Sequence, residues 1–220
     1  MRAGAINWAK IDTVLLDMDG TLLDLRFDNW FWRELVPSRY AALHGISLAA
    51  ARAVLEPKFQ AAQGTLKWYC IEHWTRELKL DIASIKQAVR HEIGYLAGAE
   101  NFLLKLKESG KRRVLVTNAH PLTLAIKDAR LGLRLHFDAC YSTHAFDAPK
   151  EQAQFWPRLH AAEPFVRERT LMIDDSVPVL DAAHGFGVGW LRAVSRPDSA
   201  QSAQLTGRHA AIDRVADLFA

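Results

Sequence analysis

The segment Val14–Asp24, which reads VLLDMDGTLLD, constrains the fold of this chain more than any other. Its aliphatic start predicts a short buried strand, and the strand ends in two acids, Asp17 and Asp19. Because successive side chains of a strand alternate, this spacing puts both carboxylates on one side. Gly20 allows a sharp turn and Thr21 adds a hydroxyl. An ordinary Asp-Gly turn would look similar, but paired carboxylates at a buried strand end need a cation, usually a divalent metal.

Polar residues also follow two later aliphatic runs. Thr117 and Asn118 follow the run at 114–116. Asp174 and Asp175 follow a third run, and Lys150 comes after an Ala-Pro turn. Parallel strands bring their carboxyl ends to one edge of a sheet, where open α/β folds bind ligands. Two acid pairs, a hydroxyl and a lysine are the groups needed to handle a phosphate with a metal ion.

These motifs, in this order and spacing, resemble all four motifs of the haloacid dehalogenase (HAD) superfamily of phosphatases. The resemblance implies that Asp17 is the nucleophile, which attacks phosphorus and forms an aspartyl-phosphate. It implies that Asp19 is the general acid/base, which protonates the leaving oxygen and then activates water. Thr117 and Lys150 match the residues that bind the phosphoryl group, and Asn118 lies beside them.

The same resemblance implies a Mg²⁺ cofactor, which cancels much of the repulsion between a carboxylate nucleophile and a phosphate ester. Its expected ligands are the Asp17 carboxylate, the Asp19 backbone carbonyl and Asp175. Asp174, the other metal-binding acid of the motif, is expected to act through water or from behind Asp175.

One position departs from the wider family. Many members carry a further acid four residues after the second metal acid, where this chain has Val179. Asp181 cannot be assumed to substitute, because two helical positions turn a side chain by about 200°. Asp181 is therefore predicted to lie on a helix surface.

Four segments, at 22–29, 68–70, 117–121 and 173–176, resemble one branch of the superfamily, the bacterial 5′-nucleotidases that act on GMP and IMP. That similarity runs nearly end to end. It implies a small-molecule phosphate ester as partner, namely a purine nucleoside monophosphate. A phosphatase or phosphomutase acting on a sugar phosphate or phosphoglycolate is the alternative.

Two further alternatives are weaker. A dehalogenase would not need Asp19 or the metal acids, and a non-catalytic binding module would be expected to lose the polar motif residues. The region between the first two strands is rich in aromatic residues on which a purine could stack, although aromatic residues at helical spacing usually form a core. These residues are Phe27, Trp30, Phe31, Trp32, Tyr40, Phe59, Trp68, Tyr69 and Trp74.

Composition indicates a globular protein without nucleic-acid or membrane partners. The net charge of +3 comes from 28 basic and 25 acidic residues spread along 220 positions, too little and too scattered for a nucleic-acid surface. Cys70 and Cys140 lack metal-ligand or disulfide spacing and are expected to be reduced thiols. No apolar run reaches 18 residues, and Met1–Ala5 is not followed by a signal-like core, so a cytoplasmic location is expected. The oligomeric state is not predicted.

The element pattern predicts an α/β fold, a doubly wound parallel sheet with an inserted helical cap. The HAD-like core is expected at 1–26 and 97–220, and the cap at 27–96. His120 and His144 follow predicted strands and border the site, where spacer or surface roles are expected. Strands are predicted at 13–17, 113–117, 137–142, 170–174 and 188–194. Helices are predicted at 30–36, closed by Pro37, at 47–63, capped by Ser47, and at 66–78, 81–93, 100–109, 121–130, 151–162, 177–185 and 213–219, with a loop at 195–209.

Overall fold

A computed structural model describes residues 6–219 of the chain. Residues 1–5 and residue 220, at the two ends of the predicted core, lie outside the described residues. Met1–Ala5, the start of the segment predicted not to be a signal sequence, is therefore outside them as well. Six parallel strands form one sheet in the order β3-β2-β1-β4-β5-β6. The strands are β1 (Thr13–Leu16), β2 (Arg112–Thr117), β3 (Ala139–Ser142), β4 (Thr170–Asp174), β5 (Trp190–Val194) and β6 (Ala211–Ile212). This sheet confirms the predicted doubly wound α/β fold.

Ten α-helices accompany the sheet in the described part of the chain. They are α1 (Arg26–Trp30), α2 (Val36–His44), α3 (Leu48–Ala62), α4 (Leu66–Tyr69), α5 (Ile71–Leu78), α6 (Ile82–Ala88), α7 (Ala99–Glu108), α8 (Pro121–Leu131), α9 (Phe155–Ala162) and α10 (Val177–Phe186). A π-helical segment (Phe31–Leu35) joins α1 to α2, and short 3-10 turns occur at Trp8–Lys10, Arg90–Glu92, Leu133–His136, Thr143–Phe146, Arg167–Arg169 and Val215–Phe219. Residues 26–92, between β1 and α7, are almost entirely helical and are called the helical insertion below.

Pro37 does not end the first helix of the insertion, contrary to the prediction. The preceding segment is π-helical, and the Val36 N–H bonds to the Phe31 carbonyl, five residues back. The ordinary hydrogen-bond ladder is thus interrupted just before Pro37, which lies in the first turn of α2. A proline lacks an N–H, so this is where the helix tolerates it.

Other boundaries differ in smaller ways. Ser47 caps α3 as predicted, and its Oγ accepts the Ala50 N–H at 3.2 Å. The helix predicted at 66–78 is instead two helices, because Cys70 takes an extended conformation and becomes the N-cap of α5. The helix predicted from residue 151 begins only at Phe155, the last one is a 3-10 turn, and β6 was not predicted.

The two faces of the sheet bury two hydrophobic clusters. Val14 and Leu16 belong to one cluster and Leu15 to the other, as the alternation of side chains along a strand requires. The first cluster continues into the helical insertion, where it includes Leu55 and Trp74. The insertion therefore packs on the face of the sheet that carries Val14 and Leu16. Within residues 6–219, none of the helices has the length and apolar character needed to cross a membrane.

Candidate active site

The predicted site residues converge where β1, β2 and β4 end. In the sheet register, Leu16 pairs with Leu115 on one side and with Ile173 on the other. Asp17 follows directly, and its N–H donates to the Ile173 carbonyl at 3.0 Å. Thr117 and Asp174 are the last residues of β2 and β4. The parallel sheet thus brings three polar strand ends to one edge, as the sequence predicted.

Lys150 bridges two of the acids. Its buried ammonium Nζ contacts the Asp17 carboxylate and lies 2.7 Å from Asp174 Oδ2. Burial opposes the charge of Lys150, but Asp17 and Asp174 outweigh it and raise its pKa above the usual range. The Lys150 N–H donates to Asn118 Oδ1 at 2.9 Å, which fixes the loop that carries the lysine. A charged lysine therefore faces the carboxylates from a fixed loop.

Three carboxylates form a compact oxygen cluster. Asp17, Asp174 and Asp175 each place an oxygen within 4.8 Å of the others. Burial raises the pKa of Asp17 to about 6, with Lys150 opposing, and burial next to Asp174 raises that of Asp175 well above normal. A set of oxygen ligands that repel one another fits a hard cation such as Mg²⁺. Both oxygens of Asp174 are already engaged, one by Lys150 and the other by the Ser176 N–H at 2.9 Å.

Gly20 allows the strand end to approach this cluster. Its φ is +89°, and a Cβ at this position would lie 2.6 Å from Asp175 Oδ2. A residue with a side chain would therefore be strained and would collide with the acid. The buried Thr21 hydroxyl has no hydrogen-bond partner within residues 6–219.

Asp19 belongs to a second charged network. Lys127 Nζ, on α8, lies 2.5 Å from Asp19 Oδ1 and 2.5 Å from Asp28 Oδ2. Lys86, on α6, lies 2.7 Å from Asp28 Oδ1. Burial raises the pKa of Asp19 to about 6, with Lys127 opposing. Lys86 and Lys127 are both buried. The sequence did not predict this, because no local pattern distinguishes these lysines from surface lysines.

Thr117 and Asn118 are both engaged within the site. Thr117 Oγ1 accepts the Ala119 N–H at 3.0 Å. Asn118 Nδ2 donates to Glu151 at 2.9 Å, and Tyr69 in the helical insertion donates to the same carboxylate at 3.0 Å. Glu151, which the sequence did not single out, therefore joins the insertion to the loop that carries Lys150.

A cavity of about 640 Å³ lies over these groups. Its polar floor includes the acids and Lys150, and its wall includes residues of the helical insertion. Four aromatic residues from the insertion line it, namely Trp32, Phe59, Trp68 and Tyr69. Phe27, Phe31 and Trp74 are instead buried core residues, as expected for most aromatic residues in helices.

Asp181 lies on a helix surface, as the sequence predicted, and Val179 lies inside. Val179 is buried on α10 and also lines the cavity. Asp181 lies on the outer face of that helix and pairs with Arg208 at 2.8 Å. The acid missing at position 179 is thus not replaced from position 181.

Comparison with known proteins identifies the class. The family model for haloacid dehalogenase-like hydrolases matches residues 11–187. The chain belongs to this family and is a hydrolase, as the motifs at the ends of β1, β2 and β4 predicted.

Individual relatives agree with this assignment. The chain is 42% identical over 208 residues to the GMP/IMP nucleotidase YrfG of Escherichia coli K12, covering 94% of each protein. The Shigella flexneri protein of the same name matches equally well. The predicted resemblance to this branch is confirmed.

Solved structures share the fold at much lower sequence identity. A HAD phosphatase from Thermococcus onnurineus superposes with a TM-score of 0.78 at 18% identity, covering 94% of this chain and 96% of that one. YfnB from Bacillus subtilis, bound to magnesium, gives a TM-score of 0.68 at 15% identity, covering 95% and 97%.

Proposed function

We propose that this enzyme is a Mg²⁺-dependent phosphatase that hydrolyses the 5′-phosphate of purine nucleoside monophosphates such as GMP and IMP. The observation that carries the proposal is the cavity itself. Its floor combines a carboxylate cluster with a buried lysine, and its wall includes four aromatic side chains. The 42% sequence identity to the YrfG GMP/IMP nucleotidases supports the same substrate class. A cytoplasmic location belongs to this proposal.

In the proposed mechanism, Asp17 attacks phosphorus and forms an aspartyl-phosphate while the nucleoside leaves. Asp19 donates a proton to the departing 5′-oxygen and then removes one from the water that cleaves the intermediate. Its pKa of about 6 suits a group that must both give and accept a proton near neutrality.

Binding of the phosphoryl oxygens is assigned to Lys150, Thr117 and Asn118. Lys150 supplies the positive charge, since its ammonium is already directed at Asp17. Asn118 acts partly through the loop, because its oxygen accepts the Lys150 N–H. Lys150 and Asn118 are both expected to hold the phosphorus in line with the Asp17 carboxylate.

Asp17, Asp175 and the Asp19 carbonyl would hold Mg²⁺, with Asp174 behind them. The ion supplies positive charge that lowers the repulsion between carboxylate and phosphate. Chelation by EDTA should abolish turnover, and Mg²⁺ should restore it. Ca²⁺ should inhibit, because it accepts larger and looser coordination shells. Full turnover in metal-free buffer would contradict this assignment.

The experiment that tests the substrate class compares GMP with ribose 5-phosphate, which has the same phosphate without a base. Stacking of a base on an aromatic side chain contributes roughly 1–3 kcal/mol, so kcat/KM should favour GMP by about 5- to 150-fold. Trp68→Leu, at the cavity wall, should reduce that preference. Trp30→Leu is the matched control, because Trp30 is 37% exposed and outside the cavity. Equal kcat/KM values for the two esters would favour the sugar-phosphate alternative.

A further inference from the structure

A second cluster of metal-ligating side chains lies beside the catalytic loops. Cys70, His120 and His144 each place a sulfur or ring nitrogen within 4.8 Å of the other two. Cys70 belongs to the helical insertion, whereas the two histidines follow β2 and β3. Sequence spacing predicted no zinc site here, because the three residues come from three distant segments.

The sheet register brings the two histidines together. Thr117 at the end of β2 pairs with Ser142 at the end of β3. The Ser142 hydroxyl then donates to the Ala119 carbonyl at 2.7 Å, which ties the two following loops to each other. The imidazole rings of His120 and His144 consequently meet edge to face, with centroids 4.8 Å apart.

The surroundings of both rings favour the neutral form of imidazole. Burial lowers the pKa of His120, and burial together with His120 lowers the pKa of His144 to about 4. Neutral imidazole offers a lone pair to a metal. His144 Nε2 is buried without a hydrogen-bond partner among residues 6–219, which is costly unless some ligand reaches it. Glu72 adds a negative charge that acts on both rings.

We propose that Cys70, His120 and His144 form a binding site for Zn²⁺ or a similar sulfur- and nitrogen-preferring cation, which links the helical insertion to the sheet. One thiolate and two imidazoles are a typical zinc ligand set, and a water molecule can complete a tetrahedron. This set differs from the oxygen cluster around Asp17, which suits Mg²⁺.

Binding requires only small side-chain movements. With metal–ligand distances of about 2.0–2.3 Å, tetrahedral ligand atoms lie about 3.3–3.8 Å apart. The three candidate ligand atoms already lie within 4.8 Å of one another. The Cys70 thiol loses its proton to solvent when it binds the cation. Its sulfur keeps the His73 N–H as a hydrogen-bond donor at 3.4 Å. The Leu122 N–H donates to His120 Nδ1 at 3.3 Å, and water can replace this acceptor if the ring turns.

Co²⁺ titration of the full chain under saturating Mg²⁺ tests the site. A thiolate ligand to Co²⁺ gives a charge-transfer absorption in the near ultraviolet, and we expect it to saturate at one Co²⁺ per chain. Zn²⁺ should remove the signal by displacement. No absorption in the wild-type protein would overturn the proposal.

Two variants assign the ligands. Cys70→Ser should lose the absorption, while the serine still caps α5, because serine is a preferred N-cap residue. His144→Gln should weaken binding by more than about 10-fold, since even groups behind the ligands contribute about 10- to 100-fold. Cys140→Ala is the matched control and should retain the signal. Retention in Cys70→Ser, or loss in Cys140→Ala, would show that the thiolate comes from elsewhere and would refute the site.

Discussion

Asp17 and Asp19 are two residues apart in the sequence and contact different lysines. Asp17 contacts Lys150 at the strand end, and Asp19 contacts Lys127 on α8. Burial raises the pKa of each acid to about 6, and its lysine opposes the shift. The two acids therefore have separate electrostatic surroundings, which agrees with separate roles in the proposed mechanism.

Asparagine substitutions should separate these roles. Asp17→Asn removes the nucleophile and is expected to abolish turnover. Asp19→Asn leaves the nucleophile and the phosphate ligands in place and removes only the general acid/base. We expect kcat to fall on the order of 10²- to 10⁴-fold, the usual effect of losing proton transfer. Steady-state kinetics with GMP measures both effects. Near-normal turnover of Asp17→Asn would rule out the covalent mechanism.

Lys127 should set the pH dependence of the reaction through Asp19. Lys127→Met removes the cation that opposes burial, so the pKa of Asp19 should rise above about 6. A higher pKa leaves less carboxylate to take a proton from water, so kcat should fall most at low pH and recover as pH rises. The acid limb of the pH–kcat profile should thus move to higher pH.

The matched control for this prediction is Lys107→Met, on the exposed side of α7. Its profile should coincide with that of the wild type. A purely structural role for Lys127 would lower kcat equally at all pH values, and that result would contradict the assignment.

At the scale of elements, Glu163 joins the end of α9 to the two adjoining strands. Its buried carboxylate pairs with Arg112 of β2, including a 2.9 Å contact to Nη2, and accepts the Tyr141 hydroxyl of β3 at 3.0 Å. The hydrogen bond from Arg112 lowers the pKa of Glu163, although burial opposes it. A carboxyl with a lowered pKa stabilises the fold above its unfolded pKa of about 4.3, and this stability is lost as pH falls through the folded value.

Glu163→Gln should therefore destabilise the protein at pH 7 and have less effect near pH 3. The expected loss is about 1–2 kcal/mol at pH 7, because a hydrogen-bonded charge pair is replaced by a neutral amide. For a chain of this length, that lowers Tm by roughly 2–8 °C. Thermal unfolding followed by circular dichroism at both pH values measures it. A Tm difference from wild type that is independent of pH would refute the charge effect.

The elements that sequence predicted best are β1, β2 and β4. Each is a buried aliphatic run with polar residues at its end, and this local pattern also placed the acids and Thr117. The short β6 forms by pairing with β5, and the break at Cys70 rests on an extended backbone at one residue; the periodicity of the sequence predicts neither. Lys127 lies 108 positions from Asp19, and such pairings appear only after the chain has folded.

At the scale of the whole molecule, one chain of hydrogen bonds joins the helical insertion to the catalytic loop. Tyr69 donates to Glu151 at 3.0 Å, and Asn118 donates to the same carboxylate at 2.9 Å. Asn118 in turn accepts the Lys150 N–H at 2.9 Å. The insertion that forms the aromatic cavity wall is thus tied to the residues proposed to bind phosphate.

Removal of the Tyr69 hydroxyl should weaken this connection without changing any group proposed to react. In Tyr69→Phe, the conformation in which the insertion lies over the site should be less populated. Because GMP binds to that conformation, its apparent affinity should fall in proportion to the populated fraction. A hydrogen bond worth about 1 kcal/mol corresponds to about a 5-fold rise in KM for GMP. Tyr141→Phe is the matched control, because its hydroxyl contacts Glu163 at 3.0 Å, away from the cavity. It should lower Tm and leave KM unchanged. An unaltered KM in Tyr69→Phe, or the same rise in both variants, would show that this contact does not couple the insertion to substrate binding.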